Sequence, residues 1–174
     1  MKKSISIVFI IFYLTIIFTG CSNSTQHVGI KKESISFDEK IFTVDTPFDL
    51  EIISDVSNIE IFIWDENSVK FEMIKRIKRV YNSEEDIKKE YEKFKIITKQ
   101  KEDKIYFKNE YVGSKINPLD QSLDLKIYMP RKAKSVKISL ELGKIIIQDD
   151  LKCDINANLN MANMEIKNME GLID

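Results

Sequence analysis

Six apolar positions in one stretch of the chain recur nineteen residues further on. Val136, Ile138, Leu140, Leu142, Ile145 and Ile147 are answered by Ile155, Ala157, Leu159, Met161, Met164 and Ile166. Within each copy the apolar residues alternate with polar ones, the period of a strand with one face buried. The alternation slips by one residue at the same place in both copies, across Gly143-Lys144 and across Ala162-Asn163. A slip of this kind keeps the apolar side inward while the strand bends. A fixed period near twenty residues points to stacked coils, each covering the apolar edge of the one before. A β-sandwich with evenly spaced strands is the other reading. Neither copy carries the Asn-Gly or Asp-Gly turn that short hairpins favour, so stacking is the expectation.

The same period of two runs through most of the chain from Phe37 onward. Ile41 and Thr43, then Phe48, Leu50 and Ile52, then Ile59, Ile61 and Ile63, and later Leu123, Leu125 and Ile127 all alternate with polar residues. Another corner is expected between Ile52 and Ile59, across 54–58. One segment departs from the pattern. Ser83 is a helix N-cap followed by the acids Glu84, Glu85 and Asp86, which suit the positive end of a helix dipole. Ile87, Tyr91 and Phe94 then fall on one helical face, so one inserted α-helix is predicted over about 83–94. Strands are predicted near 94–100 and 104–111, joined by Lys101-Glu102-Asp103, and a loop over 113–122 around Asn117-Pro118. Phe62 and Trp64 point away from Ile61 and Ile63. They read either as a ligand platform or as a surface covered by the helix face Ile87, Tyr91 and Phe94.

The first twenty residues have a different character. Met1-Lys2-Lys3 is positive and residues 5–18 are almost wholly apolar, broken by Ser6, Tyr13 and Thr15. That run is shorter than the ~20 residues a helix needs to span a bilayer, and the combination is that of a secretory signal. Phe18-Thr19-Gly20-Cys21 resembles a lipobox, with Phe18 where Leu is usual. The expectation is therefore a lipoprotein signal peptide over 1–20 and lipidation of Cys21. A polar tether over 21–36 follows, then a β domain over 37–174. Two or three acyl chains anchor stably at about 0.8 kcal/mol per buried CH₂. The expected location is the cell membrane, on its extracytoplasmic face.

Ser57-Asn58-Ile59-Glu60-Ile61, the segment Leu125-Lys126-Ile127-Tyr128-Met129-Pro130 and the two repeats together resemble a family of bacterial adhesin-like domains of unknown function, over roughly 37–174. The resemblance implies a mainly β domain on a cell surface, either a stack of β coils or a single-stranded right-handed β-helix-like domain, and no common activity. It places Asn58, Gly143 and Ala162/Asn163 at corners where the family prefers Gly; Ala162 departs from that preference.

Chemistry-bearing residues are sparse. Without the first twenty residues the chain keeps 25 basic and 28 acidic residues, which is not the basic footprint of a nucleic-acid binder. His27 is the only histidine and lies in the expected tether, so no imidazole is held beside Cys153 for nucleophilic catalysis. With Cys21 lipidated, Cys153 has no disulfide partner, and its apolar-patterned surroundings suggest an inert, partly buried thiol. Asp149, Asp150 and Asp154 are the closest acidic group, but the spacing of a calcium loop is missing. No metal and no cofactor are expected. Lys75-Arg76-Ile77-Lys78-Arg79 is the one basic cluster and reads as a solvated strand end. The expected role is a non-enzymatic, surface-exposed, membrane-anchored lipoprotein with adhesin-like binding or scaffolding. It is held to the membrane through Cys21, and its partner is an envelope protein or a cell-wall polymer. The alternatives are an envelope-stress or signalling accessory binding another membrane protein, and an enzyme using paired carboxylates on a cell-wall polymer.

The second repeat runs to Gly171-Leu172-Ile173-Asp174, where a third coil would start. Stacked coils normally finish with a cap. The expectation is a truncated stack or an unprotected end, with residues after about 153 the least firmly held.

Overall fold

The computed structural model describes residues 32–45, 47–80, 83–113 and 120–174. The chain divides into the units Met1–Ile30 and Lys31–Asp174, and the described residues all lie in the second. They form a mainly β fold of eight strands and one helix. The strands are β1 (Lys32–Thr43), β2 (Phe48–Trp64), β3 (Ser68–Arg79), β4 (Phe94–Lys101), β5 (Lys104–Tyr111), β6 (Gln121–Pro130), β7 (Ala133–Leu151) and β8 (Asp154–Met169). The helix is α1 (Glu84–Tyr91), between β3 and β4.

Three of the strands, β2, β7 and β8, are 17, 19 and 16 residues long, well above the usual strand length. The parity slip is what lets them run so far. In β2 the buried side chains are Phe48, Leu50, Ile52 and Ser54; Val56 and Ser57 are then buried consecutively, and Ile59 and Ile61 continue on the opposite parity. In β7 Val136, Ile138 and Leu140 give way to Ile145 and Ile147. The bends stack in register, Ser57 on Gly143 on Ala162. In β2 the corner falls one residue before the expected Asn58. Gly143 has φ +138°, and a Cβ there would lie 1.9 Å from the Ser57 carbonyl oxygen. Both the backbone conformation and the space require glycine.

Each long strand thus contributes half of itself to each of two walls. Along one side of β2, its first half pairs in parallel with β5 and its second half with β6. Along the other side it pairs in parallel with β7 throughout, and β7 pairs with β8 nineteen residues out of phase, Val136 opposite Ile155. The chain therefore builds layers that run wall, corner, wall: β5–β6, then β2, then β7, then β8. On β5 and β6 sits an antiparallel layer, β4 on one wall and β3 on the other, with α1 between them. Finally β1 pairs antiparallel with β3. The walls pack on each other through an aliphatic core. Phe71 of β3 and Phe107 of β5, on strands that do not pair, have ring centroids 5.4 Å apart. Each fully buried Leu, Ile or Phe contributes about 1.5–3 kcal/mol relative to exposure.

This corrects the expected single-stranded β-helix. The stacked layers do not follow chain order, because β2 lies between β5–β6 and β7. The layer containing β3 and β4 is antiparallel. A nineteen-residue repeat reports only the contact between β7 and β8; the insertion of β2 depends on pairings such as Ile59 with Leu125, which leave no local trace. The first strand also begins at Lys32, inside the stretch expected as tether; the rest of that stretch, 21–31, lies outside the described residues. So does most of the loop around Asn117-Pro118.

The two ends of the stack differ. At one end β1 places Asp38 and Lys40 on the same side as Met73 and Phe71, a polar cover over an apolar core. There Gln100 Nε2 donates to the Thr43 carbonyl at 3.1 Å, linking β4 to β1. At the other end, Leu159, Met164 and Ile166 of β8 are only partly buried against the core.

Candidate functional site

Cys21 and His27 lie outside the described residues. Of the other residues singled out from sequence, the three acids do not converge. Asp149 accepts from the Ile63 amide at 3.0 Å, and Asp154 accepts from the Leu172 amide at 3.2 Å. Arg131 donates to the Asp150 main-chain carbonyl at 3.2 Å. Among the described residues no group of three His, Cys, Asp or Glu is placed to hold a metal ion. Cys153 is buried, and burial, reinforced by Asp154, pushes its thiol up to about 11. The basic cluster is taken apart by strand alternation. Arg76 bonds Asp124 at 2.5 Å and Glu33 at 3.5 Å, and Arg79 reaches Glu90 at 3.2 Å.

The feature that does assemble lies on the outer face of the second wall. Parallel register puts Phe62 of β2 beside Tyr128 of β6, and antiparallel register puts Lys70 of β3 on the other side of Tyr128. The Phe62 and Tyr128 rings stack at 5.1 Å, 17° from parallel. Trp64 leans on Tyr128 at 5.4 Å. The Lys70 ammonium sits 4.4 Å from the Tyr128 centroid and 5.4 Å from that of Trp64. Glu72 holds Lys70 in place at 2.6 Å and accepts from the Tyr128 hydroxyl at 3.3 Å. The hydrogen bond to Glu72 raises the pKa of Lys70, against a smaller opposing effect of burial. Trp64 Nε1 donates to the Ser68 carbonyl at 2.7 Å. The face of Tyr128 is thus occupied on one side by Phe62 and on the other by a cation. Beside this cluster a shallow groove of about 420 Å³ is lined by Asn58, Glu60, Arg76, Asp124, Lys126 and Lys144. Its charges alternate in sign.

Sequence reasoning named Phe62 and Trp64 but missed Tyr128, Lys70 and Glu72. The signal for Tyr128 was its place between Ile127 and Met129, on the opposite face; its partner could not be read because β2 and β6 are far apart in sequence.

The helix does not cover this face, which corrects the predicted contact with Phe62 and Trp64. Ser83 caps it as expected, accepting from the Asp86 amide at 3.2 Å. None of its residues is fully buried, and Phe94, expected on its apolar face, is the first residue of β4 and 5% exposed. Instead α1 forms the corner between β3 and β4. Glu90 accepts from Arg79 at 3.2 Å and from the Tyr111 hydroxyl at 3.4 Å, and Lys93 also reaches it. Arg79 donates in addition to Gln121 at 2.9 Å. Tyr91 donates to Ser34 at 2.8 Å. Burial pushes the Tyr111 hydroxyl above its ordinary value, with Arg79 opposing and Glu90 adding to the shift. These contacts tie β1, β3, β5 and β6 together at the corner.

No protein-family model matches the chain, and no curated protein matches it. Several solved structures are similar to it. One is a candidate cell-adhesion protein from Clostridium sporogenes, at 11% identity and a TM-score of 0.40, covering 82% of this chain and 98% of that one. Another is a candidate adhesin from Parabacteroides merdae, at 15% identity and 0.42, covering 79% and 59%. A third is a candidate lipid-binding protein from Parabacteroides distasonis, at 8% identity and 0.44, covering 79% and 61%. This chain spans about three fifths of the last two. TM-scores below 0.5 at such identities carry no weight for function.

Proposed function

We propose that this chain is an exported lipoprotein, anchored through Cys21 on the extracytoplasmic face of the cell membrane. Its β domain acts as a non-enzymatic, adhesin-like binding or scaffolding surface. The observation that carries the reading is the opening of the chain: a positive start, a short apolar run and Phe18-Thr19-Gly20-Cys21. The layered stack is read as a relative of a β-helix whose layers do not follow chain order, with two walls of paired strands as its surfaces. On the second wall, the Phe62–Tyr128–Lys70–Glu72 cluster is held rigid by its own contacts, so little side-chain entropy is lost when a partner covers it. Its mixed polar and aromatic character suits a macromolecular partner met over an area, such as an envelope protein or a cell-wall polymer.

The test is recovery of partners from intact envelopes, and binding to purified cell-wall polymer, with the anchored protein. The expected result is a partner held by the wild-type chain and lost with the double variant Lys70→Glu, Tyr128→Ser. Equal recovery by both proteins would remove the second wall from the proposal. Recovery of nothing by the wild type would remove the binding role.

A further inference from the structure

Strand β1 turns its apolar residues outward. Ile35, Phe37 and Ile41 are 56%, 61% and 51% exposed, on the outer side of the second wall, while Asp38 and Lys40 take the inner side. Ile74 of β3, half-buried, stands directly opposite Phe37 and widens the row. The steps from Ile35 to Ile41, at about 3.3 Å per residue, make a stripe roughly 20 Å long. Ile97 of β4 and Met161 of β8 are also exposed but stand singly on their strands. Single exposed apolar side chains are ordinary; a row of them marks a contact surface.

We propose that this stripe rests on the bilayer that holds the anchor, with Ile35, Phe37 and Ile41 dipped into the boundary between headgroups and acyl chains. The inference rests on the reading of Cys21 as lipidated. The occupant follows from where β1 begins. Its first residue is Lys32, and the 32 − 21 = 11 residues from Cys21 reach at most about 36–40 Å. The stripe starts three residues later, at Ile35. A surface held this close acts at high effective concentration, so a contact too weak to recruit a free protein still holds a tethered one. A second copy of the chain is under no such constraint.

The charges on this face suit a bilayer. Glu33 is paired with Arg76 at 3.5 Å and Glu39 with Lys70 at 4.0 Å, so neither acid stands bare against phosphate groups. Lys78, opposite Glu33 and exposed, is the cation that the end of the stripe nearest the anchor presents to headgroups. The contact is shallow. Among the described residues no strand pairs with the other edge of β1, and backbone groups left free there need water or headgroups rather than hydrocarbon. With only this margin of the wall in the surface, Tyr128 and Phe62 lie two and three strands inward, at about 4.8 Å per strand, and stay open to a partner.

The test is site-directed spin labelling of the full chain, processed in a lipoprotein-exporting bacterium and reconstituted into vesicles of phosphatidylethanolamine and phosphatidylglycerol. The label is placed at Phe37→Cys or, as the comparison, at Ile97→Cys; Cys153 is buried and is not expected to take it. Collision with oxygen, which concentrates in lipid, is measured against collision with a water-soluble nickel chelate, and acylation of Cys21 is read by mass spectrometry. The expected result is an oxygen-to-nickel ratio severalfold higher at Phe37 than at Ile97. Adding Ile35→Asp and Ile41→Asp, both at exposed positions, should return the Phe37 label to water with Cys21 still acylated. An aqueous Phe37 label on an acylated chain overturns this inference and leaves the anchor standing. Equal ratios at the two sites, or a Phe37 label indifferent to the aspartates, also overturn it. A chain without acyl groups on Cys21 overturns the anchor, and this inference with it.

Discussion

Replacing Gly143 with alanine tests the corner on which the long strands depend. Gly143 has φ +138°, and the methyl group of an alanine there would fall 1.9 Å from the Ser57 carbonyl oxygen. Two costs add. Holding an L-residue in a sparsely populated backbone region costs about 1–3 kcal/mol. Relieving an overlap with main-chain atoms, which cannot swing aside as a side chain can, costs about 1–3 kcal/mol more. The sum, roughly 2–6 kcal/mol, is a large share of the ~5–15 kcal/mol that holds a typical domain together. With a urea m-value of about 1–3 kcal/mol per molar, a loss of that size moves the midpoint down by about 1 M or more. Unfolding can be followed by circular dichroism and by Trp64, the only tryptophan. The comparison is Ala162→Gly at the next corner. Ala162 is opposite Gly143 and is not among the described non-glycine residues with positive φ, so that change should cost only about 0.5–1 kcal/mol through chain entropy. If Gly143→Ala left the midpoint unchanged, the corner would not be what fixes these strands.

Two further outcomes follow from particular contacts. Cys153, with its thiol pushed up to about 11 by burial, should resist alkylation at pH 8 in the native chain and react at once in urea. Because the native thiol stays protonated where the unfolded one ionises, stability should fall as pH rises from about 9 towards 11. Rapid native labelling would contradict the buried placement. Glu90→Ala should cost about 1–3 kcal/mol by stripping Arg79 and Tyr111 of a charged acceptor. Hydrogen exchange should rise over residues 84–91 and stay slow over 123–127; unaltered exchange in the helix would show that Glu90 does not hold it.

How much of this was legible in the sequence follows from the range of each signal. The i to i+19 recurrence gave the contact of β7 with β8, since Val136 and Ile155 do sit opposite each other. The slips at Gly143 and Ala162 gave the corners, because a bend that keeps one face inward must break parity. The Ser83 cap gave the start of the helix, a purely local matter. What failed was long-range or belonged to an edge. Nothing local to residues 48–64 says that they lie between β5–β6 and β7, so the partner of Phe62 was misassigned to the helix instead of Tyr128. Strand β1 was read too short because its alternation is inverted. Ile35, Phe37 and Ile41 are more than half exposed, while Asp38 and Lys40 take the inner side, as suits a strand that ends a stack. The candidate surface was half visible as two aromatic residues; the lysine and glutamate that complete it came from a strand whose pairing no periodicity reveals.

The central claim, a lipid anchor on Cys21, is tested most directly by metabolic labelling with a radioactive fatty acid in a lipoprotein-processing bacterium expressing the full chain. The wild type should incorporate label and be processed to a product of 174 − 20 = 154 residues. Cys21→Ala should remain unlabelled and unprocessed at that site. Equal labelling of Cys21→Ala, or an unlabelled wild-type protein, would contradict the account.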